Sequence, residues 1–276
     1  MTAAALDLAG PLPIVCSDPR GEGEPILFVH GFSHNGAVWE KLAAGLPAGL
    51  RPLLVDLRGH GASPWSPEGA YGLDDYADDL EALLDRQGLA SVHVVAHSLG
   101  GNVATLLAAR LPDRIASLTL VDTGPSLRLD GSAQVQGDVD ASLGRFDRIG
   151  VLREQLGQIH PRGDGEILDR LAEASAVRAL DGRFEWALDP GVLGSQDADR
   201  DAAALDGLEG RLWAALAALR CPVLVVRGEV SAILDESVAR RMIDDVLADG
   251  RLETIPGAGH AIMIDAGPAL LRHLEG

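Results

Sequence analysis

A chain of 276 residues with 47% hydrophobic and 23% charged residues is long enough to bury one large core and has the composition of a globular protein. Its formal net charge of -18, with Lys41 the single lysine, argues against nucleic acid or anionic membrane as a partner, because phosphate groups are held by clustered cations. Two cysteines, Cys16 and Cys221, stand far apart in the chain and suggest no disulfide framework.

The first ten residues carry Asp7 and no basic region, a poor signal peptide, and charges break every apolar run before it reaches membrane-spanning length. A soluble cytoplasmic protein is the expectation, and nothing in the sequence sets its oligomeric state. Residues 1–25 are rich in Gly, Pro and acidic residues, with a weak strand pattern at 12–16. An apolar strand at 26–29 runs into the glycine-punctuated loop His30-Gly31-Phe32-Ser33-His34-Asn35-Gly36. Helical spacing at 39–46 and a buried strand at 53–55 follow, then the loop Asp56-Leu57-Arg58-Gly59-His60-Gly61. Residues 76–87 place Leu80, Leu83 and Leu84 on one helical face and acidic residues on the other. After the strand at 92–96 and the helix that begins near Leu99, another strand at 118–121 closes on Asp122. Nearly continuous apolar strands alternating with helices predict an α/β fold with a mostly parallel, doubly wound sheet.

The pattern changes over 125–219, where helical segments are interrupted by Gly, Pro and Asp and strands are hard to find. The sheet pattern resumes with a strand at 223–226, a helix at 237–247, a strand at 252–255, the loop Pro256-Gly257-Ala258-Gly259-His260 and a last helix. Residues 1–124 and 220–276 therefore read as one core domain split by a helical insertion at 125–219, without internal repeats.

The stretch 91–110 is the most informative: a short apolar strand, a turn holding one serine, and an Ala/Leu-rich helix. Such a turn lifts Ser98 out of regular structure beside the unpaired amides of a helix N-terminus. The crowded turn needs small residues two positions either side of the serine, and these are Ala96 and Gly100, with Gly101 following. A serine hydroxyl also needs a base, and His260 follows the last strand in a loop of small residues.

Four motifs in this order, His30-Gly31-Phe32, Asp56-Leu57-Arg58-Gly59-His60-Gly61, Ala96-His97-Ser98-Leu99-Gly100-Gly101 and Gly257-Ala258-Gly259-His260, resemble the α/β-hydrolase fold family with a helical cap inserted after the sixth strand. The resemblance implies Ser98 as nucleophile, His260 as base, and the backbone N–H groups of Phe32 and Leu99 as an oxyanion hole. The triad acid departs from the usual pattern. In this family it most often follows the seventh strand, three or four residues after a glycine, and counting from Gly228 those positions hold Ser231 and Ala232. Asp122, at the end of the sixth strand where some members carry the acid, is the first candidate; Glu229 and Asp235 are alternatives, and a site without an acid stays open. His30, Gly31, His97, Arg58 and His60 read as structural, while His34 and the aromatics Trp65, Phe146, Trp186 and Trp213 are candidates for lining an apolar pocket under the cap.

The expected activity is that of a carboxylic ester hydrolase acting on a small or medium, largely uncharged ester, thioester or lactone through an acyl-enzyme on Ser98. The expected partner is a small-molecule substrate, and neither a metal nor an organic cofactor is implied, since no ligand cluster or phosphate loop occurs. The alternatives are hydrolysis of a carbon–carbon bond in a diketone, a cofactor-free dioxygenase relying on His260 and Asp122, and a ligand-sensing receptor on the same fold. The carbon–carbon reading is weakened by the lack of Gly-Pro-Gly after His30-Gly31.

Overall fold

The computed structural model describes residues 10–126, 137, 144–193 and 202–274. Its main sheet has seven strands: β1 (Cys16–Ser17), β2 (Glu24–Val29), β3 (Leu50–Val55), β4 (Val92–His97), β5 (Ile115–Val121), β9 (Val223–Gly228) and β10 (Gly250–Ile255), in the order β1-β3-β2-β4-β5-β9-β10. Only β1 runs antiparallel to its neighbour, β3; the other pairs are parallel. The last four residues of β2, β3, β4, β5 and β9 are all buried, as strands covered on both faces must be. Helices lie on both sides of the sheet: α1 (Glu40–Gly45) packs with α9 (Gly267–Leu274), and α2 (Leu73–Arg86) packs with α3 (Leu99–Arg110).

The strand order fixes where a site can form. The chain moves outward from β2 to β3, then returns to the other side of β2 as β4, so the loops after β2 and β4 diverge at their carboxyl ends and leave a crevice. Register brings these ends level, with Val29 beside Ala96, His97 beside Val121, and Val121 beside Val226. Residues 30–34, 98, 122 and 228–231 thus emerge side by side.

Between β5 and β9 the chain forms α4 (Ile149–Ile159), α5 (Gly165–Ala174) and a three-stranded antiparallel sheet, β6 (Arg145–Phe146), β8 (Phe184–Trp186) and β7 (Ala176–Arg178), before α6 (Ala202–Ala217). Asp164 caps α5 by accepting from the amides of Glu166 and Ile167. This segment is tied to the main sheet's loops: Asn35 Nδ2 donates to Ser175 Oγ at 2.8 Å, Asp189 N to Gly59 O at 2.8 Å, and Asp164 N to Ile264 O at 2.9 Å. The strands that are hard to find here in the sequence are two or three residues long, too short to show alternation. The helix expected at 237–247 is likewise broken into α7 (Glu236–Arg241) and a π turn (Met242–Val246), and α8 (Ile262–Asp265) precedes the last helix. No helix among the described residues is long and apolar enough to cross a membrane.

Candidate active site

Ser98 sits at φ 51° and ψ -120°, a conformation that costs a non-glycine residue energy and persists only where its surroundings enforce it. Here they do. Ser98 N donates to Val121 O at 3.2 Å, and Thr123 Oγ1 donates to Ser98 O at 2.9 Å. Helix α3 passes so close beneath that a Cβ on Gly100 would lie 2.4 Å from His30 O, and one on Gly101 2.1 Å from Thr123 Cγ2. Ala96, by contrast, is buried in regular β4, which is why alanine serves where the motif more often has glycine.

The Ser98 hydroxyl lies 3.0 Å from His260 Nε2, and His260 Nδ1 lies 2.8 Å from Asp122 Oδ2. A carboxylate offers only lone pairs, so Nδ1 carries the imidazole proton and Nε2 turns its lone pair toward Ser98. In this row a proton leaving Ser98 has an acceptor, and the imidazolium so formed has a carboxylate behind it. Asp122 is fully buried and also accepts from Gly228 N at 2.9 Å and from Ser231 Oγ at 2.5 Å.

The loop after β2 packs directly on the serine: a Cβ on Gly31 would come 3.0 Å from Ser98 Cβ. His30 is fully buried and orients this loop, because Leu57 N donates to its Nε2 at 2.9 Å and its Nδ1–H donates to Gly31 O at 2.7 Å. A trans peptide sets C=O and N–H opposite one another, so holding Gly31 O aims the Phe32 N–H away from His30. Among the described residues neither the Phe32 N–H nor the Leu99 N–H has a hydrogen-bond acceptor, whereas the amides of Gly101 and Asn102 turn back to Ser98 O.

Above the serine is a cavity of about 300 Å³ lined in part by Phe32, His34, Ile159, His160, Ile233 and His260. His34, His97 and His160 carry little charge at neutral pH: burial holds His34 and His97 well below the usual imidazole range and lowers His160 to about 4. His97 stays close to His260, with ring centroids 4.5 Å apart, and its Nε2–H donates to His260 O at 3.0 Å, fixing the loop that carries His260. Arg162 and Asp265 line it as well. A larger groove, of about 650 Å³, lies at the opposite ends of the strands, lined by Ile26, Val94, Leu118 and Val223; it holds none of these groups, and ligands in open α/β sheets sit at the carboxyl ends.

Several residues singled out in the sequence lie elsewhere. The Glu229 carboxylate accepts from Gly257 N at 2.8 Å, and that of Asp235 caps α7 through Ser237 N at 2.8 Å, so neither reaches His260. Trp65 is 49% exposed away from the cavity, and Phe146 stacks on Phe184 within the small sheet. Trp186 is buried in that sheet, and Trp213 lies under the Arg241 guanidinium, 4.0 Å from its ring centroid, with Nε1 donating to Ser126 Oγ. Among those candidates His34 alone lines the cavity, while Ile159, His160, Arg162 and Ile233 were not anticipated. His160 did leave a signal: its His-Pro step ends α4, and a helix that stops there drops its last side chains at the cavity. Among the described residues no group of three or more His, Cys, Asp or Glu is arranged to hold a metal ion.

Residues 24–267 match the alpha/beta hydrolase fold family, and the chain belongs to it. It is an α/β-hydrolase enzyme, with relatives named as hydrolases, esterases and lipases. The chain is 30% identical over 243 residues to 2-(acetamidomethylene)succinate hydrolase of Mesorhizobium japonicum, an alignment covering 88% of this chain and 84% of that one. A crystal structure of E-2-(acetamidomethylene)succinate hydrolase superimposes with a TM-score of 0.81 over 95% of this chain and 93% of the other, at 26% identity. The pimeloyl-(acyl-carrier protein) methyl ester esterase of Chromobacterium violaceum is 30% identical over 265 residues, covering 92% of this chain and 96% of its own.

Proposed function

We propose that the protein is a serine hydrolase that cleaves a small or medium carboxylic ester, thioester or lactone through an acyl-enzyme on Ser98. The observation that carries this reading is the unbroken row from Ser98 Oγ through His260 to the buried Asp122. His260 Nε2 takes the hydroxyl proton as Ser98 attacks the carbonyl carbon, and the N–H groups of Phe32 and Leu99 receive the negative oxygen. His260 then passes the proton to the leaving alcohol or thiol, and in the second half it draws a proton from water, which attacks the acyl carbon and frees Ser98. Each oxyanion donor of this kind contributes roughly 3 to 4 kcal/mol to the barrier reduction.

The cavity supports the substrate class. Its volume of about 300 Å³ suits a short acyl group, Ile159 and Ile233 offer apolar contact, and its neutral imidazoles offer hydrogen bonds without charge. Relatives named as esterases, among them the methyl ester esterase, point the same way. In this reading the segment bearing Ile159 to Arg162, which lines the cavity, serves as the cap. Steady-state hydrolysis of p-nitrophenyl acetate, butyrate and octanoate tests the reading: turnover favouring the shorter esters, with a pre-steady-state burst of p-nitrophenol, is expected. Absence of turnover on all three, together with inactivity on thioesters and lactones, contradicts it.

A further inference from the structure

We infer that Ser231 is a positioning residue, whose hydroxyl proton holds the Asp122 carboxylate in line with His260. The inference rests on the acyl-enzyme reading above. A hydroxyl has one proton and two lone pairs. The Ser231 oxygen accepts from Ile233 N at 3.0 Å and from Leu234 N at 3.2 Å, which leaves its proton for Asp122 Oδ2, 2.5 Å away. That same carboxylate oxygen receives His260 Nδ1–H, while Oδ1 is held by Gly228 N. With Ser231 present, Asp122 is clamped at both oxygens by the end of β9 and the loop that follows it; without it, the oxygen facing His260 has no second tether.

The loop is itself fixed from behind. Arg227, buried, donates from Nε to Leu234 O at 2.9 Å and from Nη1 to Glu229 O at 3.3 Å, and Ser231 N donates to Gly228 O at 3.1 Å. A Cβ on Gly228 would lie 2.1 Å from Gly259 O, so the loop also bears on the segment carrying His260. In the wider family the acid itself most often stands at this point of the chain; here a serine stands there and braces an acid on the neighbouring strand.

Removing the hydroxyl frees Asp122 to rotate off the His260 Nδ1–H axis, and the imidazolium formed as Ser98 attacks then loses part of its stabilisation. The other groups facing His260 are His97, His34, His160, Asp265 and Arg162, and Ser231 hydrogen-bonds none of them.

The experiment compares the wild-type protein with S231A, S231T, D122N, the D122N/S231A pair and S98A on p-nitrophenyl butyrate, with circular dichroism to establish folding. S231A is expected to lower kcat about tenfold with KM changed less than about twofold. S231T, which keeps the hydroxyl, is expected to recover most of the lost kcat, and S231A added to D122N is expected to cost less than about twofold more. If S231A is misfolded, the near-isosteric S231C, a weaker donor, replaces it. A wild-type kcat in S231A, or its full loss repeated on top of D122N, overturns the inference. Activity retained by S98A would instead overturn the acyl-enzyme reading, whatever Ser231 shows.

Discussion

Replacing Asp122 by Asn keeps the side chain's shape and exchanges one acceptor oxygen for a donor. In the wild-type protein Oδ1 accepts from Gly228 N, and Oδ2 accepts from both His260 Nδ1–H and Ser231 O–H. Whichever way the amide turns, its NH2 group meets a donor: the Gly228 N–H in one orientation, the His260 and Ser231 protons in the other. The second conflict is relieved if His260 moves its proton to Nε2, but that nitrogen then has no lone pair for Ser98. In serine proteases the same exchange lowers kcat by about 10⁴ through the wrong tautomer. A fall in kcat of about 10³ to 10⁴, or ~4 to 5 kcal/mol in the barrier, is expected here with KM little changed. Burial adds a stability loss of about 1 to 3 kcal/mol, since one buried donor is left unsatisfied. Steady-state kinetics on p-nitrophenyl butyrate and urea denaturation read both quantities. A D122N protein retaining more than about a tenth of wild-type kcat would refute Asp122 as the acid.

Other expectations follow from the same geometry. Ser231 and His260 meet one oxygen of Asp122, so D122N/S231D places a carboxylate against the same point and is expected to regain at least about tenfold in kcat over D122N; no regain means position 231 is out of reach of His260. Gly100→Ala drives a Cβ against the His30 carbonyl and is expected to cost about 2 kcal/mol in urea denaturation and to lower kcat by displacing the loop that carries Phe32; a neutral result contradicts the close approach. Stability is also expected to depend on pH through His60, fully buried with Nδ1–H donated to Arg58 O and, among the described residues, no partner at Nε2. Burial lowers its pKa from 6.5 to about 4. The unfolded chain therefore takes up a proton first as pH falls. The stability is complete above about 6.5 and lost toward about 4, by roughly 3 kcal/mol from this residue alone. Denaturation midpoints at pH 7.5, 6 and 5 measure the slope; a His60→Asn protein with an unchanged slope contradicts the assignment.

The elbow is legible in sequence because its constraint is local: a strand, a serine and a helix that can approach only over glycines. The carboxylate is not local. Asp122, Glu229 and Asp235 all follow strands or precede helices, and each has a capping or turn role open to it. What separates them is that β5 and β9 are neighbours in the sheet, with Val121 level with Val226, so the end of β5 faces the loop after β9. Sequence spacing does not encode that adjacency. The aromatics misled for a related reason: Phe146, Trp186 and Trp213 are as large and apolar as any pocket wall, yet the small sheet and Arg241 claim them first. The cavity is instead walled by the end of α4 and by the loop after β9, both set by tertiary packing.

The most direct measurement is covalent labelling with a fluorophosphonate followed by peptide mass spectrometry. One phosphonyl group on Ser98, competed by p-nitrophenyl butyrate and absent from Ser98→Ala, is the expected result. No labelling of the folded protein, or a label on another residue with ester turnover surviving in Ser98→Ala, would contradict an acyl-enzyme on Ser98.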